Sequence, residues 1–322
     1  MTTAKGVTVK PYGFRHNLHR SLRRNWSLYL LVIPALVYFI LFLYWPMYGV
    51  VIAFKDFSPS KGILASPWAS VRGTQNVFKH FSNFFNSIHF ERTLRNTVLI
   101  SLYTLAVGFP IPLFLAILIN ELQNHRFKQL VQTVTYLPHF ISTVVLCGML
   151  WIFMRMDTGL FNILRAKIGL PSINFLNEGQ FFKSIYVWSG VWQNAGWGTI
   201  IYMATLSSLD TQMYEAAIID GASRPQTIWY ITLPCLMPTA IMLLILDFGS
   251  FMSVGFEKVF ALQTDLTLEQ SDVIPTLVYR KGIIETNYSF SAAVGLFNSV
   301  INCFLLLTVN FISRKTANIS LF

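Results

Sequence analysis

Six long stretches with little or no charge constrain the fold of this 322-residue chain more than any other feature. Each stretch is longer than the ~20 apolar residues that a helix needs to cross a bilayer. Charged residues make up only 12% of the chain, whereas soluble domains carry about 25%. We therefore predict an all-α fold, a polytopic membrane bundle of six transmembrane helices that forms one domain over residues 28–322. The predicted spans cover residues of about 28–54, 96–119, 130–153, 184–207, 234–257 and 291–313.

A basic arm precedes the first predicted span. Residues 1–27 hold six lysine and arginine residues and no acidic residue. The apolar run that follows has 27 residues, more than the roughly 7–15 of a signal-peptide core, so we expect a retained helix. Basic residues beside a first span favour a cytoplasmic N-terminus. A nucleic-acid-binding arm is the alternative interpretation of this charge, but the apolar surroundings favour a membrane anchor and no nucleic-acid partner.

The charge distribution does not by itself fix the orientation of the chain. With a cytoplasmic N-terminus, six spans place the C-terminus and residues 207–233 in the cytoplasm as well. Lysine and arginine then number 11 on the cytoplasmic side and 13 on the outer side. The basic arm favours this orientation, because the first helix usually dominates, whereas the count over the whole chain does not support it.

A polar segment at residues 210–234 separates the fourth and fifth predicted spans. Asp210 can cap a short helix over residues 213–219, and Gly221 supplies the left-handed conformation that ends a helix. Ser223 and Gln226 have the spacing of a capping box that starts a second helix. The pattern predicts two short helices and a tight bend before the chain enters the next span at Pro234. Such a piece suits docking in a partner's groove, and an ordinary interfacial connector is the alternative.

The spacing within this segment resembles a known motif. Glu215-Ala216-Ala217, three residues, Gly221, nine residues and Ile231-x-Leu233-Pro234 is similar to the EAA motif of ABC-importer permeases. In that family the motif forms a coupling helix that sits in a cleft of the cytoplasmic ATPase subunit. The resemblance implies that these residues, with Asp220, couple the chain to an ATPase, and that the segment is cytoplasmic.

The resemblance extends over nearly the whole chain. The first two spans resemble those of carbohydrate-type permeases. The stretches FKQLVQTVTYLPHFIS and SDVIPTLVYRKGI are most similar to a branch that handles complex oligosaccharides and polysaccharide fragments and includes alginate importers. One departure is Asp210-Thr211, where many relatives have Ile-Pro. The resemblance implies a cell-membrane (inner or plasma membrane) protein whose partners are an ABC ATPase dimer, a second and distinct permease, and an extracytoplasmic solute-binding protein.

The chain lacks the motifs that an enzyme of its own would need. No Gly-Lys dipeptide occurs, so there is no phosphate-binding loop of the G-x-x-x-x-G-K-[ST] type. ATP and magnesium are therefore expected on the partner ATPases, with no cofactor on this chain. Cys147, Cys235 and Cys303 match no metal spacing and favour simple packing residues. We predict neither a catalytic nor a metal site.

Polar and aromatic residues within the predicted spans are candidates for a saccharide path. A sugar chain needs aromatic faces to stack on and amides or hydroxyls to bond its own hydroxyls. Interfacial aromatics and interhelical hydrogen bonds are the alternative interpretation. The candidates are Trp188, Trp192, Gln193, Asn194 and Trp197 in the fourth span, Asn298 and Asn302 in the sixth, and His139 and Ser142 in the third.

Asp247 is an acidic residue in the middle of the fifth predicted span, and it suggests a rival function. A carboxylate in mid-span costs about 2.5–3.5 kcal/mol, so it should face the bundle interior or a wet cavity. It is a further candidate for the substrate path. It also permits a different interpretation, a proton-coupled secondary transporter with Asp247 as the relay. An exporter is a third possibility, although the EAA pattern belongs to importers.

Overall fold

The computed structural model describes residues 25–321, which are mainly helical. Most of the basic arm predicted at residues 1–27 therefore lies outside the described residues. The chain divides into two compact units, Met1–Val51 and Ile52–Phe322. In the first unit, α-helix Trp26–Tyr38 is followed by π-helix Phe39–Tyr44 and the short α-helix Trp45–Met47, and 3-10 helix Tyr48–Phe54 begins there.

The second unit contains the remaining helices and one small hairpin. Strands Ser70–Val71 and Thr74–Gln75 pair antiparallel. The α-helices are Gly62–Ala65, Lys79–Phe85, Phe90–Gly108, Pro110–Asn120, His125–Tyr136, Thr143–Phe153, Leu160–Lys167, Gly179–Ser207, Thr211–Ile219, Arg224–Thr227, Leu233–Gly249, Phe256–Leu262, Leu268–Ser271, Ile274–Tyr279 and Tyr288–Ala317. The 3-10 helices are Leu137–Phe140 and Asp265–Thr267, and the π-helices are Ile228–Thr232 and Arg280–Ile284.

The predicted polytopic helical bundle is confirmed, whereas the count of six spans stays a prediction. Four helical runs in the described part are long and apolar enough to cross a membrane: Trp26–Phe54, Phe90–Asn120, Arg224–Gly249 and Tyr288–Ala317. A bent pair makes a fifth if it is counted as one span. The fourth predicted span lies in the continuous 29-residue helix Gly179–Ser207, which is not among these runs.

The third predicted span, at residues 130–153, is not one straight helix. Helical residues His125–Phe140 meet helix Thr143–Phe153 at 96°. Ser142 is the reason that a new helix starts there, because its hydroxyl accepts a hydrogen bond from the N–H of Val145 at 3.3 Å. Pro138, in the first turn of the 3-10 helix Leu137–Phe140, cannot donate a backbone hydrogen bond to the turn before it. The prediction of one continuous span did not take into account that Pro138 favours the end of one helix and Ser142 the start of the next.

The fifth predicted span also has different ends. The chain is helical from Arg224 to Gly249 without a break, so Pro234 lies inside a helical run instead of marking its start. The run ends at Gly249, eight residues short of the predicted residue 257. The side chain of Asn302 accounts for this early end, because its Oδ1 accepts the N–H of Met252 at 2.8 Å and its Nδ2 donates to Ser253 Oγ at 3.0 Å.

The helix Gly179–Ser207 organises the interior of the second unit. Its first half contributes Ile185 to one apolar cluster, and its last turns contribute Met203 to another. Gly196 allows a close helix contact between them, since a Cβ there would lie 2.0 Å from the carbonyl oxygen of Thr135. This packing leaves a cavity beside the middle of the helix.

Candidate functional site

A cavity of about 870 Å³ lies beside the middle of helix Gly179–Ser207. Helix Phe90–Gly108 lines another side, and so does the non-helical segment 250–255 with the residues before and after it. The segment can be irregular because Asn302 satisfies the Met252 N–H, one of the backbone donors that the helix no longer bonds. Part of the wall is therefore backbone, which offers carbonyl and amide groups as well as side chains.

Three of the candidate path residues line the cavity: Gln193, Asn194 and Asp247. Gln193 donates through Nε2 to the carbonyl of Ile141 at 2.7 Å and thereby holds the bend in the third predicted span. Asn194 accepts at Oδ1 from His139 Nδ1 at 3.0 Å. Asp247 stands in the last turn of its helix, with an exposed side chain. These three candidates contribute two amides and a carboxylate to the cavity wall.

The tryptophans of the same helix occupy other faces. Trp188, Trp192 and Trp197 are each about half exposed and are not part of the cavity wall. Trp188 donates through Nε1 to Tyr103 Oη at 2.9 Å. Trp197 stacks on the His139 ring with a centroid separation of 4.4 Å and an interplanar angle of 7°. Trp188 and Trp192 are four residues apart and therefore share a helix face, but that face is not the one on the cavity.

The remaining candidates, Asn298, Asn302 and Ser142, lie outside the cavity wall. Asn302 and Ser142 make the hydrogen bonds described above. The Oδ1 atom of Asn298 is buried and accepts no hydrogen bond from the described residues. Their substrate-path role remains a prediction.

Lys258 is a cavity residue that sequence reasoning passed over. The neighbouring Glu257 carboxylate forms no ion pair with it, because adjacent residues of a helix do not face each other. The Lys258 side chain is only 8% exposed, and its Nζ donates to the carbonyl of Tyr186 at 2.8 Å. The same Nζ lies 4.8 Å from the centre of the Tyr186 ring. Burial lowers the pKa of the Lys258 amine to about 8, so most of it is still protonated at pH 7.

The 210–234 segment begins with a capped helix, as predicted. Oδ1 of Asp210 accepts the N–H of Gln212 at 2.9 Å, and the helix runs over Thr211–Ile219. Gly221 then adopts a φ of +80°. The N–H groups of Gly221 and Ala222 donate to the carbonyls of Ile218 and Ala217 at 3.0 and 2.9 Å, which is the Schellman arrangement. The bend is therefore fixed by backbone hydrogen bonds.

The second half of the segment is tied to the first and continues into a long helix. The N–H and the hydroxyl of Ser223 each donate to Oε1 of Gln226 at 2.7 Å. The hydroxyls of Tyr214 and Thr232 lie 3.2 Å apart. The surface of the 210–234 segment carries large exposed apolar side chains, among them Ile218, Ile219, Trp229 and Tyr230.

The motif residues divide between the surface and the fold. Leu233 packs against an apolar cluster of the bundle, and Ile231 is half-buried. Ala217 is half-buried as well, whereas the other five are exposed: Glu215, Ala216, Asp220, Gly221 and Pro234.

In residues 25–321 no group of three or more His, Cys, Asp or Glu side chains is placed to hold a metal ion.

Comparison with protein families gives a match over residues 108–317, which include both the cavity helix and the 210–234 segment. The matching family is described as "Binding-protein-dependent transport system inner membrane component". The chain belongs to this family. The resemblance drawn from the EAA pattern is thereby confirmed at the level of the family.

Curated relatives and a solved structure agree with this assignment. Protein LplB of Bacillus subtilis is 42% identical over 92% of this chain and 91% of its own length. The polygalacturonan/rhamnogalacturonan transport system permease protein YteP of the same organism is 39% identical, over 89% and 88%. A bacterial alginate ABC transporter, solved in complex with an alginate pentasaccharide-bound periplasmic protein, contains a chain that is 36% identical. That likeness covers 94% of this chain and 99% of the other, with a TM-score of 0.84.

These findings establish the class of the protein. It is the permease of a sugar ABC importer and an integral inner-membrane protein.

Proposed function

We propose that this permease forms the path for an acidic oligosaccharide or polysaccharide and couples that path to separate ATPase subunits. The observation that carries the proposal is the connection between the 210–234 segment and the cavity. The helical run Arg224–Gly249 has 26 residues, a length of about 39 Å at ~1.5 Å per residue. It starts in the segment and ends in the turn that places Asp247 in the cavity wall.

This connection supports a mechanism of alternating access. ATP binding draws the two ATPases together, and the exposed helix Thr211–Ile219 moves with the cleft that holds it. The Schellman bend and the Tyr214–Thr232 contact make the segment move as one piece. The helical run then passes this displacement to residues 247–255 of the cavity wall. Access switches between the two sides by a rigid-body change that nucleotide biases.

The proposed partners follow from the family and from the chain. The family's description includes dependence on a binding protein, and we infer an extracytoplasmic one here. The absence of a phosphate-binding loop requires an ATPase dimer that binds ATP and magnesium. A second, homologous permease completes the path. The 210–234 segment, both termini and the basic arm 1–27 then lie in the cytoplasm, with six spans in the bilayer.

The proposed substrate class comes from two of the compared proteins. The name of one relative includes polygalacturonan, and the solved transporter is one for alginate. Both are chains of uronic acids, which carry a carboxylate on each sugar. The amides of Gln193 and Asn194 offer hydrogen bonds to the hydroxyls of such a chain at the cavity wall.

The test is uptake of labelled oligogalacturonate into proteoliposomes that contain this permease, its second permease, the ATPases and the binding protein. We expect uptake only with ATP and magnesium and only with all subunits present. Accumulation by this chain alone, driven by a proton gradient, would identify a secondary transporter instead. Uptake of neutral oligosaccharides alone would leave the importer in place and refute the acidic substrate.

A further inference from the structure

We propose that Lys258 is a recognition site for the carboxylate of an acidic saccharide inside the cavity. The inference rests on the proposed function and adds to it the residue that distinguishes an acidic saccharide from a neutral one. Lys258 lies in the first turn of the short helix Phe256–Leu262 and lines the cavity together with helix Gly179–Ser207, where its Nζ donates a hydrogen bond to the Tyr186 carbonyl.

The charge of Lys258 is enclosed without a counter-charge. Its side chain is 8% exposed, and no carboxylate oxygen of residues 25–321 lies within 4.0 Å of Nζ. Its contacts are the carbonyl oxygen and the ring of Tyr186. Enclosing an ammonium group removes its hydration, and a carbonyl and a ring offset that loss only in part. A buried cation of this kind inside a membrane protein is a functional-site candidate by default.

The ammonium group of Lys258, which lines the cavity, has donors that its hydrogen bond to Tyr186 does not use. An ammonium group has three N–H donors, and the contact with the Tyr186 carbonyl uses one of them. Gly190 lines the same part of the cavity, and a Cβ at that position would lie 3.1 Å from Nζ. The absence of a side chain at Gly190 therefore leaves room for a ligand at the ammonium group.

Two carboxylates, those of Asp247 and Glu257, also line the cavity. Asp247 and Glu257 are exposed, whereas Lys258 is enclosed. Water screens an exposed charge far more than an enclosed one. The lysine ammonium group lies directly beside Tyr186 and Gly190, so an anion is favoured at this part of the wall.

The physical chemistry also defines the ligand. A uronate offers a carboxylate for the lysine and hydroxyl groups for the nearby amides of Gln193 and Asn194, which share the wall. A charge-assisted hydrogen bond to a carboxylate is roughly twice as strong as a neutral one. A neutral sugar forms no such bond and leaves the charge of Lys258 without a counter-charge.

The experiment uses the complete reconstituted transporter and compares Lys258→Met with Lys258→Arg. The probe is trigalacturonate at concentrations that saturate the binding protein. We expect Lys258→Met to lower its uptake by roughly 10-fold, the loss of one charge-assisted hydrogen bond. Lys258→Arg keeps the charge and should retain more than half of the wild-type rate. Lys183→Met, which removes a lysine outside the cavity wall, should leave uptake within about 2-fold.

Further arms separate charge from packing and from the proposed function. Gly190→Ala keeps the charge but crowds Nζ, and we expect it to lower trigalacturonate uptake by about 3-fold. Uptake at the wild-type rate by Lys258→Met, or an equal fall in the Met and Arg variants, would overturn the proposal. If the wild-type complex shows no ATP-driven uptake of an acidic saccharide, it is the proposed function that fails.

Discussion

At the scale of single residues, the most completely satisfied buried charge in the described part is Asp272. Its side chain is fully buried, and Oδ2 accepts from Nη2 of Arg92 at 2.7 Å and from Nη2 of Arg280 at 2.6 Å. Oδ1 accepts from the hydroxyl of Thr276 at 2.9 Å. One carboxylate thereby joins the start of helix Phe90–Gly108 to the 272–280 region.

We expect Asp272→Asn to destabilise the fold, because it leaves the partly buried Arg280 without a counter-charge and Arg92 with only the more distant carboxylate of Glu269. Breaking a buried pair from one side costs roughly 3–5 kcal/mol. The measurement is thermal unfolding of the purified protein in detergent. Glu269→Gln is the matched control, since Glu269 is 61% exposed and lies 3.6 and 3.5 Å from Arg92 and Arg95. That change should cost less than about 1 kcal/mol, and equal destabilisation by both variants would contradict the prediction.

At the scale of elements, the bend of the 210–234 segment depends on one backbone conformation. Gly221 has a φ of +80°, and a Cβ there would meet no atom within 4 Å. A substitution therefore acts only through the backbone. We expect Gly221→Val to lower saccharide-stimulated ATP hydrolysis by at least 5-fold, since a β-branched residue strains this conformation by about 1–3 kcal/mol. Gly221→Asn tolerates a positive φ and should stay within about 2-fold. If both variants hydrolysed ATP alike, the bend would not be part of coupling.

The same segment shows which features the sequence could predict. Asp210, Gly221 and the Ser223–Gln226 pair act within a few residues, so their spacing alone specified the first helix and the bend. The continuation through Pro234 was missed, because the π-helix Ile228–Thr232 changes the hydrogen-bond register before the proline. The early end of the helix at Gly249 depends on Asn302, about 50 residues away, and local patterns do not report such contacts.

The cavity shows a second limit of the same kind. Periodicity places Trp188 and Trp192 on one helix face, but which face meets the cavity is decided by packing against neighbouring helices. Gln193, Asn194 and Asp247 were predictable as polar groups in apolar surroundings. Lys258 was not, because its enclosure depends on Tyr186 from another helix. A charged residue next to an apolar stretch is the signal that could have pointed to it.

At the scale of the whole molecule, the source of energy separates the proposed importer from a proton-coupled transporter. Asp247 lies in the cavity wall, where either mechanism could use it. If ATP hydrolysis drives transport, the driving force reaches the cavity through the 210–234 segment. Asp247→Asn removes one carboxylate from the cavity wall and leaves that segment unchanged. We then expect ATP-driven uptake within about 3-fold of wild type, a change in barrier below ~1 kcal/mol. A protonophore should have no effect on ATP-driven uptake by the wild type or by the Asp247→Asn variant.

The control for this prediction is a variant that disturbs the coupling to the ATPases and leaves the cavity unchanged. Gly221→Val leaves Asp247 and the cavity wall unchanged but disturbs the bend through which the ATPases act. ATP-driven uptake should therefore fall much further in Gly221→Val than in Asp247→Asn. The reverse order, with uptake abolished by Asp247→Asn and by the protonophore, would show that protons drive transport. The relative size of the two losses thus locates where energy enters the molecule, at the polar segment or inside the bundle.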